Sequence, residues 1–284
     1  MSPVAVLRLP IQTDLSGFIV LLQRLQVPHR VSEEAGEQVL WVPAELAERV
    51  RDLHLRYPQG DAALQAPASA QATAGFARQL RESPLTAGML GLTLLVAMLT
   101  ALGDNFAAIR WLSFVDFRIQ GDYIYFSYLA EMLETRQWWR LVTPMLIHFG
   151  LLHLAMNALW YWVLGRRVEA RQGAWMLLGL TLLFSLASNL AQYSFSGPAL
   201  FGGLSGVLYG LLGHCWLFQR LAPNAEYRLP QGVLVMMLAW LLICMTGIFE
   251  LLQFGAIANA AHVGGLLAGC LTGLLGGALA RRRS

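Results

Sequence analysis

The sequence predicts a mainly α-helical, polytopic membrane protein in which a small soluble α+β domain precedes a bundle of six transmembrane helices. Three observations support this fold class. Hydrophobic residues make up 56% of the 284 residues. Charged residues make up only 13%, against about 25% in ordinary soluble domains. Long stretches carry no charge at all, whereas residues 1–58 have a mixed pattern. This composition excludes a disordered chain and a conventional soluble globule.

Residues 1–58 combine short apolar strands with amphipathic helices and are expected to form the small cytosolic domain. The predicted elements are strands at 4–9, 29–32 and 38–42 and helices at 14–25 and 44–56. Residues 59–82, rich in Ala, Gln, Pro and Gly over 60–75, are predicted to be a linker. The sequence leaves two roles open for the domain: regulation or partner binding, and a passive appendage.

The uncharged stretches are long enough to cross a bilayer, since ~20 apolar helical residues span its ~30 Å core. The stretch 172–219 is too long for one crossing and is interrupted at 193–198. The predicted spans are 85–103, 145–165, 173–192, 201–219, 231–249 and 257–279. The transmembrane domain is therefore assigned to residues 83–284.

The distribution of arginine predicts the orientation of these spans. Arginines precede the first span and follow the second, fourth and sixth, whereas the loops after the third and fifth spans contain none. Both termini are therefore expected in the cytoplasm. The first outer loop, 104–140, contains arginines, acids and many aromatic residues, a mixture typical of segments that lie in the membrane interface.

Polar side chains inside three spans are the candidate functional residues, because polar groups are costly in a membrane. Span two contains His148, His153 and Asn157, span four contains Ser205, and span six contains His262. The three spans run in the same direction. At 1.5 Å per residue, the polar sets lie roughly 8–12 Å below the outer boundary.

A serine and a histidine at one level predict a nucleophile and its base, since a serine hydroxyl needs a neighbouring base to react. Spans two, four and six contain no Asp or Glu, so we expect a Ser205–His262 dyad rather than a triad. Tyr209, one turn after Ser205, could orient the imidazole by packing against it. His153, Asn157 and backbone N–H groups at the start of span four could stabilise an oxyanion.

Glycines at four-residue intervals indicate which helices approach each other. The two sets are Gly202, Gly206 and Gly210 in span four, and Gly265, Gly269, Gly273 and Gly277 in span six. Small residues at this spacing let helix backbones pack closely in lipid. We therefore expect spans four and six to be in contact.

Two alternatives compete with the dyad. His148, His153 and His262 could bind a metal, but zinc peptidases carry HExxH on a helix, whereas this chain has an i,i+5 pair of histidines without a glutamate. We therefore expect no metal and no cofactor. A non-catalytic polytopic membrane binding protein or transporter is the other alternative, although a transporter would be expected to contain internal repeats. The net charge of +3 does not indicate nucleic-acid binding.

These residues together resemble the rhomboid intramembrane serine proteases, specifically the bacterial GlpG type. The matching motifs are Trp139-Arg140, the set His148, His153 and Asn157, Gly203-Leu204-Ser205-Gly206, and Ala261-His262 followed by Gly265 and Gly269. They cover residues 84–280, and the N-terminal domain resembles the cytosolic domain of the same group.

The resemblance implies six helices around a hydrated cavity. It implies Ser205 as nucleophile, His262 as base, and an oxyanion hole of His153, Asn157 and the Ser205 N–H, with His148, Gly203 and Tyr209 in support. It implies an endopeptidase of the bacterial inner membrane, in contact with lipid, whose site opens towards the periplasm. The substrates would be single-pass membrane proteins, cut near the outer boundary.

Overall fold

The computed structural model describes residues 3–59, 68–230, 232–251 and 257–282. The chain divides into two compact units between Arg78 and Gln79.

The N-terminal unit is a three-stranded antiparallel sheet with two helices on one face. Its elements are β1 (Pro3–Pro10), α1 (Ser16–Arg24), β2 (Arg30–Glu34), β3 (Glu37–Pro43) and α2 (Ala47–Arg56). The strand order is β1-β3-β2, so β3 is central. Phe18 and Leu22 of α1 and Val50 of α2 pack against Leu40 and Val42 of β3 to form the core. Every strand and helix predicted in this region is confirmed, with ends that differ by a few residues.

Helix α3 (Ala68–Glu82) occupies part of the stretch predicted as a linker, and residues 60–67 of that stretch lie outside the described residues. The helix forms because Ala, Gln, Leu and Arg, which dominate its sequence, are strong helix formers. The sequence did not predict this helix within the linker.

The second unit is mainly helical, and six of its described helices overlap the six segments predicted as spans. They are α4 (Pro84–Leu99), α7 (Leu151–Gln172), α8 (Ala174–Ser196), α9 (Ser205–Leu221), α10 (Val233–Met245) and α12 (Asn259–Arg281). The shorter elements are α5 (Phe106–Leu112), β4 (Phe117–Gln120), β5 (Tyr123–Phe126), α6 (Leu129–Glu134) and α11 (Ile248–Leu251). Helices α5 and α6 and the β4–β5 hairpin fill the first outer loop.

Within the described residues, only α8 and α12 are by themselves long and apolar enough to cross a membrane. A third span qualifies if α4 is taken together with the segment before it. The last two turns of helix α7 are charged and contain Arg166, Arg167, Glu169 and Arg171. Helices α9 and α10 have 17 and 13 residues, fewer than the ~20 that a full crossing needs.

Two of these helices begin at least four residues later than predicted. A 3₁₀ turn covers Thr143–Leu146, and α7 begins only at Leu151, after Gly150 with φ +93°. His148 therefore precedes the helix that was predicted to contain it. Helix α9 likewise begins at Ser205 rather than at residue 201, so Gly202 lies in the loop and not in the helical glycine series. Uncharged sequence alone did not distinguish these loops from helix.

Helices α9 and α12 pack with their backbones in contact, as the glycine spacing predicted. A Cβ atom on Gly269 would overlap the carbonyl group of Gly210, and one on Gly265 would overlap that of Gly206. The glycines of α12 that are buried in this contact are Gly265, Gly269, Gly273 and Gly277. The glycines of both helices have no side chains at this contact, and this allows the two backbones to approach each other closely.

Glu169 joins α7 to the start of α4. Its buried carboxylate accepts the N–H groups of Leu85 and Thr86, both at 2.8 Å, and the Thr86 hydroxyl at 2.6 Å. A negative charge at this position satisfies N–H groups that the helix itself leaves unpaired. The carboxylate thereby has partners even though it is buried.

Arg140 organises the first outer loop from its centre. Its buried guanidinium donates to Gln137 Oε1 at 2.6 Å and to the Ser113 carbonyl at 2.9 Å, and lies 3.5 Å from Asp116. Arg110 makes two hydrogen bonds of 2.7 Å to Asp116, and these hold the pKa of that carboxyl below its usual value. Residues 110–116 are thus fastened to the segment that contains Gln137 and Arg140.

The α9–α12 contact generates a prediction about stability. Gly269→Ala should lower the free energy of unfolding by roughly 2 kcal/mol or more, because the added methyl group overlaps backbone that cannot rotate away. Gly269→Val should lower it further. Melting temperature in one detergent measures both.

Gly88→Ala on α4 is the matched control, since a Cβ atom there meets nothing within 4 Å. It should leave the melting temperature unchanged or raise it slightly. A Gly269→Ala variant that melts at the temperature of the unmodified protein would contradict the backbone contact.

Candidate active site

Ser205 and His262 meet across the α9–α12 contact. His262 Nε2 and Ser205 Oγ are 2.7 Å apart. Ser205 is the first residue of α9 and His262 lies in the first turn of α12, so both side chains project from helix starts. His262 is buried and Ser205 is partly exposed. This geometry allows the hydroxyl to donate to the imidazole.

The imidazole of His262 is oriented without a carboxylate among the described residues. Its ring lies against Tyr209, with ring centroids 5.0 Å apart and planes at 44°. Its Nδ1 atom is buried and has no hydrogen-bond partner in the described part of the chain. The contact with Tyr209 agrees with the packing expected from the sequence.

Two glycines explain how the chain brings Ser205 to this position. A Cβ atom on Gly202 would lie 2.8 Å from both the side chain of Ile147 and the carbonyl oxygen of Pro144. Gly203 has φ +116°, which side-chain-bearing residues rarely adopt, and its N–H donates to Pro144 O at 3.0 Å. The loop before Ser205 therefore lies directly on the 143–147 segment.

His153 lies on the other side of Gly203. A Cβ atom on Gly203 would be 2.7 Å from His153 Nε2 and 3.8 Å from Ser205 Oγ. The Phe149 N–H donates to His153 Nδ1 at 3.4 Å. A neutral imidazole that accepts at one nitrogen carries its proton on the other, so the Nε2–H of His153 faces the space next to Ser205.

Asn157 follows His153 by one turn of α7 and is buried. Its amide nitrogen donates to the His153 carbonyl at 2.8 Å, and that NH₂ group has a second hydrogen. Its Oδ1 atom is buried without a partner in the described residues. The Asn157 side chain therefore has a second N–H and an oxygen for which the described residues provide no hydrogen-bond partner.

His148 was predicted to lie in a helix, but it lies in the loop before α7. Its Nδ1 donates to Leu146 O at 3.1 Å, and its Nε2 accepts the Leu204 N–H at 3.5 Å. Its ring lies 5.0 Å from that of His153. His148 thus braces the residue before Ser205, and both of its nitrogens are engaged. In the described residues, no three His, Cys, Asp or Glu side chains form a group that could hold a metal ion.

Polar residues of α8 form a part of the site region that the sequence analysis missed. Gln192 Oε1 accepts the Ala261 N–H at 3.0 Å, directly beside His262. Ser185 and Asn189 donate to the carbonyls of Val142 and Leu141, both at 2.9 Å. Their spacing of four and three residues in an otherwise apolar span places them on one helix face, and this signal could have identified them.

Comparison with known proteins agrees with this arrangement. The rhomboid domain family matches residues 135–279, and the rhomboid N-terminal domain family matches residues 1–68. The chain is 40% identical over 191 residues to the rhomboid protease GlpG of Serratia proteamaculans (strain 568), covering 67% of this chain and 62% of that protein. It is 42% identical over 156 residues to the rhomboid protease GlpG of Yersinia pestis (strain Pestoides F), covering 54% of each chain.

The matched region spans less than two thirds of the length of these relatives. The rhomboid domain match by itself covers about half of this chain, and it includes every candidate residue from His148 to His262. The chain therefore belongs to the rhomboid family, and its relatives are of the bacterial GlpG type.

Proposed function

We propose that this protein is an intramembrane serine endopeptidase that uses Ser205 as nucleophile and His262 as general base. The observation that carries the proposal is the 2.7 Å contact between Ser205 Oγ and His262 Nε2 in a chain of the rhomboid family. Ser205 reacts only if a neighbouring base takes its proton, and His262 is placed to do so.

The reaction follows from this pair. Ser205 Oγ attacks the carbonyl carbon of the scissile peptide while its proton passes to His262 Nε2. The protonated imidazole then donates that proton to the leaving nitrogen, and the C–N bond breaks to leave an ester on Ser205. Water, deprotonated by the same nitrogen, hydrolyses the ester and restores the hydroxyl.

Three donors are proposed to stabilise the oxyanion. They are the Nε2–H of His153, an amide N–H of Asn157 and the backbone N–H of Ser205. The position of His153 Nε2 next to Gly203 supports the first. The start of α9 at Ser205 supports the third, since the first N–H groups of a helix have no partner within it. His148 and Gly203 support the site by holding the loop before Ser205.

The six helices are proposed to span the bacterial inner membrane with both termini in the cytoplasm. Arginine-rich inner loops and the two long apolar helices α8 and α12 support this arrangement. In this orientation α7, α9 and α12 begin on the periplasmic side, and the dyad lies on that side as well. The first turns of these helices contact the outer part of the lipid bilayer.

The proposed substrates are single-pass membrane proteins, cut near the outer boundary of the membrane. A peptide carbonyl inside a helix is hydrogen-bonded and enclosed by its own turns, so Ser205 can attack only a locally extended segment. Substrates should therefore carry small or helix-destabilising residues at the cleaved position.

The dyad is tested by Ser205→Ala and His262→Ala. Each should reduce cleavage of a model single-pass substrate to the background rate, because neither residue acts without the other. Melting temperatures should stay close to that of the unmodified protein. Ser194→Ala and His29→Ala serve as controls of the same residue types away from the site. Near-normal cleavage by either dyad variant would refute the assignment.

Independence of metal is tested with chelators and serine reagents. Activity should survive excess EDTA and 1,10-phenanthroline, because both nitrogens of His148 are engaged in hydrogen bonds. A fluorophosphonate should abolish activity and label Ser205, whereas Ser205→Ala should stay unlabelled. Loss of activity with the chelator, restored by added zinc, would contradict the serine mechanism.

The oxyanion donors are tested by His153→Ala and Asn157→Ala. Each should lower kcat by roughly 10–10³-fold with little change in KM, because the proposed bonds strengthen in the transition state. Leu159→Ala, an exposed position on the same helix, is the control. A change confined to KM would assign these residues to substrate binding instead.

A further inference from the structure

Arg166 of α7 lies at the corner between α3 and α4. The last two turns of α3 meet α4 at an angle of 97°, with the bend at Ser83. Because α4 is proposed to cross the bilayer, the end of α3 runs along the membrane surface. Arg166 Nη1 donates to Gln79 Oε1 of α3 at 2.8 Å, and its Nε donates to Ser83 Oγ at 3.4 Å. The guanidinium is therefore held where the first span begins, at the depth of the lipid headgroups.

Trp162 of α7 also contacts the guanidinium. It precedes Arg166 by about one helical turn, and Arg166 Cζ lies 4.7 Å from the centroid of its ring. A cation–π contact of this kind orients the planar guanidinium. Tryptophan is also typical of the membrane interface, because one end of its ring system is apolar and the other is polar. Two hydrogen bonds and one ring contact thus hold Arg166 in place without neutralising its charge.

The positive charge of Arg166 has no carboxylate partner in the described part of the chain. None of the ion pairs found there includes it. The nearby carboxylate of Glu169 instead accepts the N–H groups of Leu85 and Thr86 and the Thr86 hydroxyl. A guanidinium has five N–H groups, and the described residues accept one from Nε and one from Nη1. Both N–H groups of Nη2 therefore remain for an acceptor outside these residues.

The segments around Arg166 have a net positive charge. Residues 79–83 and 162–171 contain two glutamates and four arginines, which are Arg81, Arg166, Arg167 and Arg171. One of the two glutamates is Glu169, whose carboxylate is buried against the start of α4. Arg81 is exposed on the last turn of α3. A negatively charged headgroup at this depth is therefore attracted to the corner, whereas a headgroup that carries its own cation is attracted less.

We propose that Arg166 and Trp162 form a binding site for the phosphate group of an anionic phospholipid in the inner leaflet. Nη2 of Arg166 donates charge-assisted hydrogen bonds to the phosphate oxygens, while Trp162, Gln79 and Ser83 keep the guanidinium oriented. The membrane supplies this phosphate, because the corner lies at headgroup depth. The inference rests on the proposed orientation of the spans and is independent of the Ser205–His262 dyad.

The melting temperature of the full-length protein in defined lipid tests the proposal. It is measured in detergent micelles that contain either phosphatidylglycerol or phosphatidylcholine with the same acyl chains. A ligand that binds the folded protein raises its melting temperature. The unmodified protein should therefore melt roughly 3–10 °C higher with phosphatidylglycerol. Because this measurement needs no cleavage, an inactive protein would refute the proposed function and leave the lipid site unaffected.

Arg166→Gln should abolish the difference between the two lipids, because it removes the charge and the Nη2 donor. In native mass spectrometry it should also weaken the retention of phosphatidylglycerol by roughly tenfold. Arg166→Lys keeps the charge without the planar guanidinium and should keep only part of the difference. Arg220→Gln is the matched control, since it removes an exposed arginine from the end of α9 that is also expected on the cytoplasmic side. It should keep the full difference.

Several results would overturn the proposal. Equal melting temperatures of the unmodified protein in the two lipids would exclude the site. A lipid difference that persists in Arg166→Gln would limit Arg166 to joining α7 to Gln79 and Ser83. An equal loss in Arg220→Gln would indicate general attraction between arginines and the membrane surface. The same rise with inorganic phosphate in phosphatidylcholine micelles would indicate a soluble anion instead of a lipid.

A second variant covers the case in which Arg166→Gln does not fold. Trp162→Leu leaves the charge of Arg166 in place and removes the ring that orients it. It should reduce the difference between the two lipids by at least half. An unchanged difference in Trp162→Leu would contradict the proposed site.

Discussion

The contact between the backbones of α9 and α12 is the constraint on which the rest of the site depends. Ser205 and His262 are the first and fourth residues of these two helices, so the distance between the helix axes fixes the distance between hydroxyl and imidazole. Gly206 and Gly210 face Gly265 and Gly269 with no side chain between them. Any larger residue would separate the helices, and a hydrogen bond of 2.7 Å tolerates little separation.

The polar groups near this contact are satisfied mainly by neighbouring backbone. Gln192 accepts the Ala261 N–H, His148 accepts the Leu204 N–H, and Asn157 donates to the His153 carbonyl. Such bonds orient rigid groups because a helix or a tight loop fixes the backbone partner. The buried side-chain atoms left without a described partner include Asn157 Oδ1 and His262 Nδ1.

A second set of interactions connects the site to more distant elements. Arg140 organises the first outer loop, whereas Ser185 and Asn189 of α8 hold the segment that carries Arg140. That segment continues through Pro144 and Ile147, against which Gly202 and Gly203 lie. The position of Ser205 therefore depends on a series of contacts that runs from the first outer loop to the start of α9.

The sequence by itself determined the class of fold and most of the candidate residues. Uncharged stretches indicated the six helices, because it is costly to bury a charged side chain in an apolar environment. The four-residue glycine spacing indicated the α9–α12 contact, and the motifs around Ser205 and His262 indicated the family. These are local patterns, and each depends on residues within a few turns of one another.

Only the tertiary structure decided where the helices begin and what the polar residues contact. The uncharged segments 147–150 and 201–204 were predicted to be helical, but the positive φ values of Gly150 and Gly203 and the contact with Pro144 make them loops. The tautomer of His153 depends on the Phe149 N–H, and the hydrogen bond of the Tyr209 hydroxyl depends on Met237 in another helix. No local pattern encodes such contacts, because they exist only after distant segments have packed together.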